Sequence, residues 1–203
     1  MPFFDFLFGN KKSMNYEVRP DKIWLTTDAK FAGIANEVTK RATTNPAAIL
    51  LVAHFSDVLA RLNEIAATTT TALPVKAVLA SNLAPGIADG LDLDPSATID
   101  FLVAERHPLM SADEQLESFA ALLPCRCRLA YHLSLDDPLL QAFSGAWVQN
   151  VLGKMGMTDD EPIESTMISR RIKDGQRKIE SKSFGASYAN SAGEWLEKNC
   201  PNM

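Results

Sequence analysis

Cysteine and histidine are scarce, with three of each in 203 residues. Cys125, Cys127 and Cys200 are too few for a disulfide framework, which fits a reducing cytoplasm. Cys125 and Cys127 fall on one face of a predicted strand with His132 a few residues on. A zinc site of this type needs four ligands and no second pair is in sight, so these thiols read as structural. His54, His107 and His132 are scattered and read as packed or solvated rather than catalytic. No apolar run is long enough to cross a bilayer. The N-terminus has neither the basic start nor the small-residue cleavage site of a signal peptide. Neither sign of charge dominates: 20 Lys and Arg stand against 25 Asp and Glu, a net charge of −5. That balance disfavours general nucleic-acid binding. No GxxxxGK[ST] phosphate loop and no G-x-S-x-G nucleophile elbow occur, so neither a self-contained phosphate-loop motor nor an elbow-type hydrolase is supported.

What is there alternates between helix and strand. Asp28 to Arg41 carries Phe31, Ile34, Ala35 and Val38 on one helical face, and Asn45-Pro46 breaks it. Ala47 to Ala53 is a continuous apolar run, as expected of a strand buried on both faces. Asp57 to Ala66 is a predicted helix with Val58, Leu62 and Ile65 inward, followed by a threonine loop. Val75–Ala80 and Thr98–Ala104 read as strands, Ser111–Leu122 as a helix, and Arg126–Leu133 as a strand. Short helices are expected at Pro138–Phe143 and Ala146–Lys154. The order implies an α/β domain with a parallel sheet of about four to five strands, covered by helices on both faces.

The most specific stretch runs from Leu152 to Phe184. Thr158 or Asp159 can cap a helix start, Pro162 suits the first turn, and Glu161 and Glu164 suit the positive end of the helix dipole. Ile163, Met167, Ile168, Ile172 and Ile179 form a narrow apolar stripe on a basic helix that should lie along another surface. This phrase, GMxxxEPIExxMxSRxIxxxQRKxExxxF, resembles the passage from the second motor domain into the long scaffold helix of the SecA preprotein translocase ATPase family. Glu105-Arg106-His107 matches that family's ERH triplet. Asp113 to Asp137 can be laid without a gap on its DNQL…LSLED stretch. Asp21 to Phe31 and Val78 to Asp89 are similar to two further segments. The resemblance covers most of residues 21–184, and a strand and a helix of the family's domain are missing between Ile65 and Val75. It implies a RecA-like motor domain over 21–157 and a scaffold-like helix over 158–184. On either side lie a Phe-rich segment at 1–20 and an irregular tail at 185–203.

The same resemblance bears on chemistry. A motor of this family splits ATP between two RecA-like domains, and the second contributes arginines that stabilise charge on the γ-phosphate. The matched arginine positions here hold Gly86, Glu117, Phe119 and Leu122. Glu117 would repel a phosphate, while Phe119 and Leu122 suit a helix face packed into a core. Asn82, Asp89 and Gln115 survive as vestigial nucleotide contacts. Arg126 and Arg128 either reach a phosphate or are surface arginines. The expected protein is therefore non-catalytic, without cofactor, and binds another protein such as a translocase motor, its channel or an export client. The alternative is a half-motor that still takes ATP or ADP, or completes a separate subunit's site. Contact residues are expected in Phe3, Phe4, Phe6, Leu7 and Phe8, and in Arg170, Arg171 and Arg177 of the long helix. A cytoplasmic protein with peripheral contact at the inner membrane follows.

Overall fold

The computed structural model describes residues 15–84, 86, 93–142, 161–184 and 187–201. Strands β1 (Tyr16–Val18), β2 (Lys22–Trp24), β3 (Ala48–Ala53), β4 (Val75–Leu79), β5 (Thr98–Val103), β6 (Arg126–Ser134) and β7 (Ile163–Glu164) build one sheet. Its order is β4-β3-β5-β6-β2-β7, with β1 also on β6. All pairings are parallel except the antiparallel β2–β7 pair. Helices α1 (Thr27–Ala42) and α2 (Ser56–Thr68) cover one face, and α3 (Met110–Leu122) covers the other; α4 (Thr166–Glu180) and α5 (Ala192–Asn199) follow. This is the RecA-like α/β class expected from the pattern.

Local chemistry sets the element ends. Thr26 caps α1 by accepting from the Ala29 N–H at 3.1 Å; Asp28 lies in its first turn and Lys40 and Arg41 in its last. Asn45 then takes a positive φ of 52° before Pro46, a left-handed turn that asparagine tolerates. β3 is buried at every position. Along β3 and β5, alternate residues divide between two cores: Leu50, Val52, Ile99, Phe101 and Val103 face α3, while Ile49, Leu51, Ala53 and Leu102 face α1 and α2.

Three features differ from the sequence reading: the strand count, the start of the long helix and the character of the tail. The sheet has seven strand segments rather than four to five. Tyr16–Val18 joins it from the stretch assigned to the Phe-rich segment, and Ile163–Glu164 joins it from the stretch expected to be helical. The long helix starts at Thr166 behind Ser165, because Ile163 and Glu164 are extended against Ile23 and Lys22. Its stripe is covered within this chain: Ile168, Ile172 and Ile179 are buried in a third core with Ile23, Leu133, Leu139 and Trp195, although Met167 is exposed. The tail expected to be irregular carries α5, capped by Ser191 through the Glu194 N–H. The first expected short helix is present over 138–142; the second lies outside the described residues.

Between β1 and β2 the chain runs parallel along the same neighbour, β6, but slips by one residue. Val18 sits opposite Leu129 and Lys22 opposite His132, so Arg19, Pro20 and Asp21 face only Ala130 and Tyr131. This is a bulge, a device that re-aims a side chain. On its far side, Trp24 lies flat against α1. A Cβ built on Gly33 would stand 2.1 Å from the Trp24 ring. Gly33→Ala is therefore expected to lose about 2 kcal/mol: overpacking costs up to about 3 kcal/mol and the alanine helix preference returns about 1. Urea unfolding measures this. Adding Trp24→Phe, which shortens the ring, should recover part of the loss.

Candidate functional site

In open α/β sheets ligands bind beyond the carboxyl ends of the strands. At that edge, β3 ends in His54-Phe55, β4 in the turn Ala80–Asn82, and β5 in Ala104-Glu105-Arg106-His107. A cleft of about 320 Å³ opens there, lined by His54, Ser81, His107, Gln115 and Phe119 among others. Among the described residues, no Lys or Arg lines it.

The charges near this edge are turned inward. Arg106 is 2 % exposed. Its Nη2 donates to Asp21 Oδ1 at 2.7 Å, its Nη1 to Asp113 Oδ2 at 2.9 Å, and its guanidinium lies 3.7 Å from the centre of the Tyr131 ring. The bulge at Pro20 delivers Asp21, and the first turn of α3 delivers Asp113. His54 Nε2 stands 2.9 Å from Asp113 Oδ1. Gln176 of α4 donates to Asp113 Oδ2 and to the His107 carbonyl, both at 2.7 Å. Burial alone would raise the Asp113 carboxyl, but the close approach of the His54 imidazole and the Arg106 guanidinium outweigh it and hold it down at about 2.

His107 and Glu105 are likewise engaged within the chain. His107 Nδ1 accepts from the Leu109 N–H at 2.9 Å; its ring stacks on Phe55 and meets the edge of Trp195. Burial holds that imidazole down at about 4. Glu105 accepts the N–H groups of His54 and Phe55 at 2.9 and 3.0 Å. Burial pushes its carboxyl up to about 7. Lys30, 2 % exposed, donates to Asp137 at 2.6 Å. On the α1 face, Glu37 pairs with Lys22 and Arg41, and Asp100 with Arg41 and Arg128.

The structure distributes the sequence candidates unevenly. Gln115 lines the cleft, and Asn82 ends the exposed turn whose Ala80 and Ser81 line it. Asp89 lies outside the described residues, as do Phe3, Phe4, Phe6, Leu7 and Phe8. Of the matched arginine positions, Glu117 is half-buried with its carboxyl raised by burial, and Phe119 lines the cleft and packs edge-on to Phe101. Leu122 does not pack into a core: it is 80 % exposed, because Leu116, Ala120 and Leu123 form the buried face. Arg126 and Arg128 lie at the start of β6, so neither borders this edge. Arg128 is six residues, roughly 20 Å of strand, short of Ser134, and it binds Asp100 bidentately. Cys125 and Cys127 are buried, and among the described residues no group of acidic, His and Cys side chains could hold a metal ion. Arg170 and Arg177 line a different cleft, of about 460 Å³, between α4 and the bulge; Arg171 is exposed on the same helix but does not line it. Sequence reasoning missed Asp21, Lys30, Asp113 and Gln176 as buried polar partners, since their spacing is set by the sheet and not by the chain.

Two predictions follow from the inward charges. Arg106→Ala should cost about 3–5 kcal/mol by urea unfolding, since it strands two buried carboxylates. Arg106→Lys should recover little of this, lacking the planar fork that reaches both. The second concerns pH. The folded value of Glu105 lies above its ordinary 4.5, so its favourable contribution is complete below pH 4.5 and is lost as pH rises through about 7. The folded value of His107 lies below its ordinary 6.5, so its contribution is complete above pH 6.5 and is lost as pH falls through about 4. The two slopes oppose each other. Glu105→Gln keeps an acceptor for both N–H groups and removes the first slope. Its stability relative to the unsubstituted protein should rise steadily from pH 4.5 to 7, as read by unfolding at successive pH values.

No family model matches the chain. Individual relatives do. The protein translocase subunit SecA of Symbiobacterium thermophilum is 39% identical over 80 residues, 39% of this chain and 9% of that protein. That of Sorangium cellulosum is 33% identical over 97 residues, 48% of this chain and 10% of that protein. That of Solidesulfovibrio magneticus is 32% identical over 113 residues, 54% of this chain and 13% of that protein. The chain spans about a tenth of the length of these curated relatives. Over roughly half of its own length, then, this chain is SecA-like.

Proposed function

We propose that this chain is a non-catalytic protein-binding module of the protein-translocation apparatus, built on the second motor domain of a SecA-like ATPase. The observation that carries this reading is the chemistry of the strand-end cleft. Among the described residues its lining has no cation, and the nearby guanidinium of Arg106 is saturated by Asp21, Asp113 and the Tyr131 ring. A bound γ-phosphate needs positive charge aimed at its oxygens, and every matched arginine position is occupied by a residue without it. Trp195 of α5, packed against His107 beside this edge, further commits it to internal packing.

The partner follows from the relatives, whose name is that of a translocase subunit: another translocase component or an export client. The contact surfaces in this reading are the Phe3, Phe4, Phe6, Leu7 and Phe8 cluster and the basic face of α4 with Arg170, Arg171 and Arg177. No helix among the described residues is long and apolar enough to cross a membrane, so contact with the inner membrane in this proposal is peripheral, through the phenylalanines and Lys11 and Lys12. The second reading, a nucleotide-binding half-motor, draws support from Gln115, which does line the cleft.

Calorimetry with ATP and with ADP, in Mg²⁺ at low salt, separates the two. The expected result is no heat of binding at near-millimolar nucleotide and no phosphate release above background. Saturable binding abolished by Gln115→Ala would transfer the conclusion to the half-motor.

A further inference from the structure

Hydrogen-bond parity along β1 leaves one sheet edge open beside an unusually basic cleft. The Cys127 N–H donates to the Asn15 carbonyl and the Arg19 N–H to the Leu129 carbonyl. With Tyr16 opposite Cys127 and Val18 opposite Leu129, residues 15, 17 and 19 direct their backbone groups toward β6. The N–H and C=O groups of Tyr16 and Val18 therefore point away from it, and among the described residues no strand pairs with them. Farther along, the outward positions are taken: the Asp21 N–H donates to Ser169 Oγ, and Ile23 pairs with Ile163. The open stretch ends at the bulge, where α4 passes.

Between the bulge and α4 lies the 460 Å³ cleft. Arg19, Arg106, Arg170, Lys173 and Arg177 line it, and among the described residues no carboxylate does. Arg106 is neutralised internally. Arg177 is paired with the exposed Asp174. Arg19 Nε is buried without a hydrogen-bond partner, and its ion pair with Glu17 is long, at 3.7 Å. Arg170 and Lys173 form no ion pair among the described residues, and Glu117 is the acidic group that Lys173 faces from α3. Arg170 and Lys173, with the loosely paired Arg19, thus leave a local excess of positive charge in a chain whose net charge is −5.

We propose that this edge takes an extended acidic peptide segment of a partner protein. Its main chain adds to β1 through the outward groups of Tyr16 and Val18, and its carboxylates lie on Arg19, Arg170 and Lys173. Strand addition supplies affinity through the backbone and leaves selection to the side chains; here the selecting element is the cation row of α4. A peptide strand repeats its same-face side chains every two residues, about 6.8 Å apart, so alternate acidic residues face the row together. The assignment rests on the reading of the chain as a protein-binding module, and it specifies the partner's chemistry.

The test is fluorescence anisotropy of the full chain with a labelled peptide alternating Glu and Val, set against its Lys-Val counterpart. The acidic probe should bind, the basic probe should not, and affinity should fall as salt is raised. Arg170→Glu with Lys173→Glu should weaken binding by about tenfold or more, whereas Lys178→Glu, outside the cleft, should leave it unchanged. Val18→Pro removes an outward N–H, a substitution edge strands accept, and trims a partly buried side chain; it should lower affinity with the circular dichroism spectrum intact. The same acidic peptide N-methylated at alternate residues should lose affinity for the unsubstituted protein, which tests strand addition without any variant. Equal binding of both probes, indifference to N-methylation, or saturation only by phosphatidylglycerol vesicles overturns the proposal. So does a dimer by sedimentation that Val18→Pro dissociates while no peptide binds. Nucleotide calorimetry fails or succeeds independently of these measurements, so loss of one reading is distinguishable from loss of the other.

Discussion

A single buried guanidinium organises this molecule. Arg106 leaves the end of β5 and is met from three directions: by Asp21 from the bulge, by Asp113 from α3 and by the Tyr131 ring from β6. Isolated, such a charge would be prohibitive in a core. Held by two carboxylates and an aromatic face, it ties the N-terminal strands, the central sheet and one helical layer to a common point. Gln176 extends the tie to α4 through Asp113 and the His107 carbonyl. The ERH triplet is thus a structural joint: Glu105 secures the turn after β3, Arg106 the bulge and α3, and His107 the contact with α5.

This joint also occupies the carboxyl edge of the sheet. The polar groups at the carboxyl edge are engaged with one another, and their protonation follows from burial and pairing. Asp113 is held anionic by its partners, His107 is held neutral by burial, and Glu105 is poised near neutrality. Perturbed values of this kind often mark catalytic sites, but ion-pair networks generate them as well. Here the partners are all internal, and that favours the architectural origin.

Much of the fold was legible in the sequence because its signals are local. The apolar run at β3, the 3.6-residue period of α1 and the Asn45-Pro46 break translate directly into elements. The start of α4 was misread because the helix-start chemistry of Glu161, Pro162 and Glu164 is equally compatible with an extended edge pair, and only Ile23 on a distant part of the chain decides between them. The same holds for α5, whose Gly- and Ser-rich approach disguises a helix that a tertiary surface stabilises through Trp195. At the candidate site, Gln115 lines the cleft from a helix whose period is plain in the sequence. Leu122 departs from its expected place in a core, since the apolar face of α3 is set by Leu116, Ala120 and Leu123 and passes it by. Arg128 illustrates the limit most plainly: sequence proximity to the cleft residues conceals that a parallel strand carries its two ends to opposite edges of the sheet.

The bulge at Arg19–Asp21 also makes this short connection intolerant of any change in length. Removing one residue there would bring β1 and β2 into common register along β6 with Lys22 still opposite His132, so both strands would keep their faces and only the bulge would vanish. Asp21 would then no longer be offered to Arg106 from a bulge. A second inserted residue would push the mismatch on into β2 and turn its side chains over. Insertions elsewhere, as in the surface loop after α2, disturb no such device. Among descendants of this chain, the spacing from Val18 to Lys22 should therefore vary less than the identity of the residues that fill it.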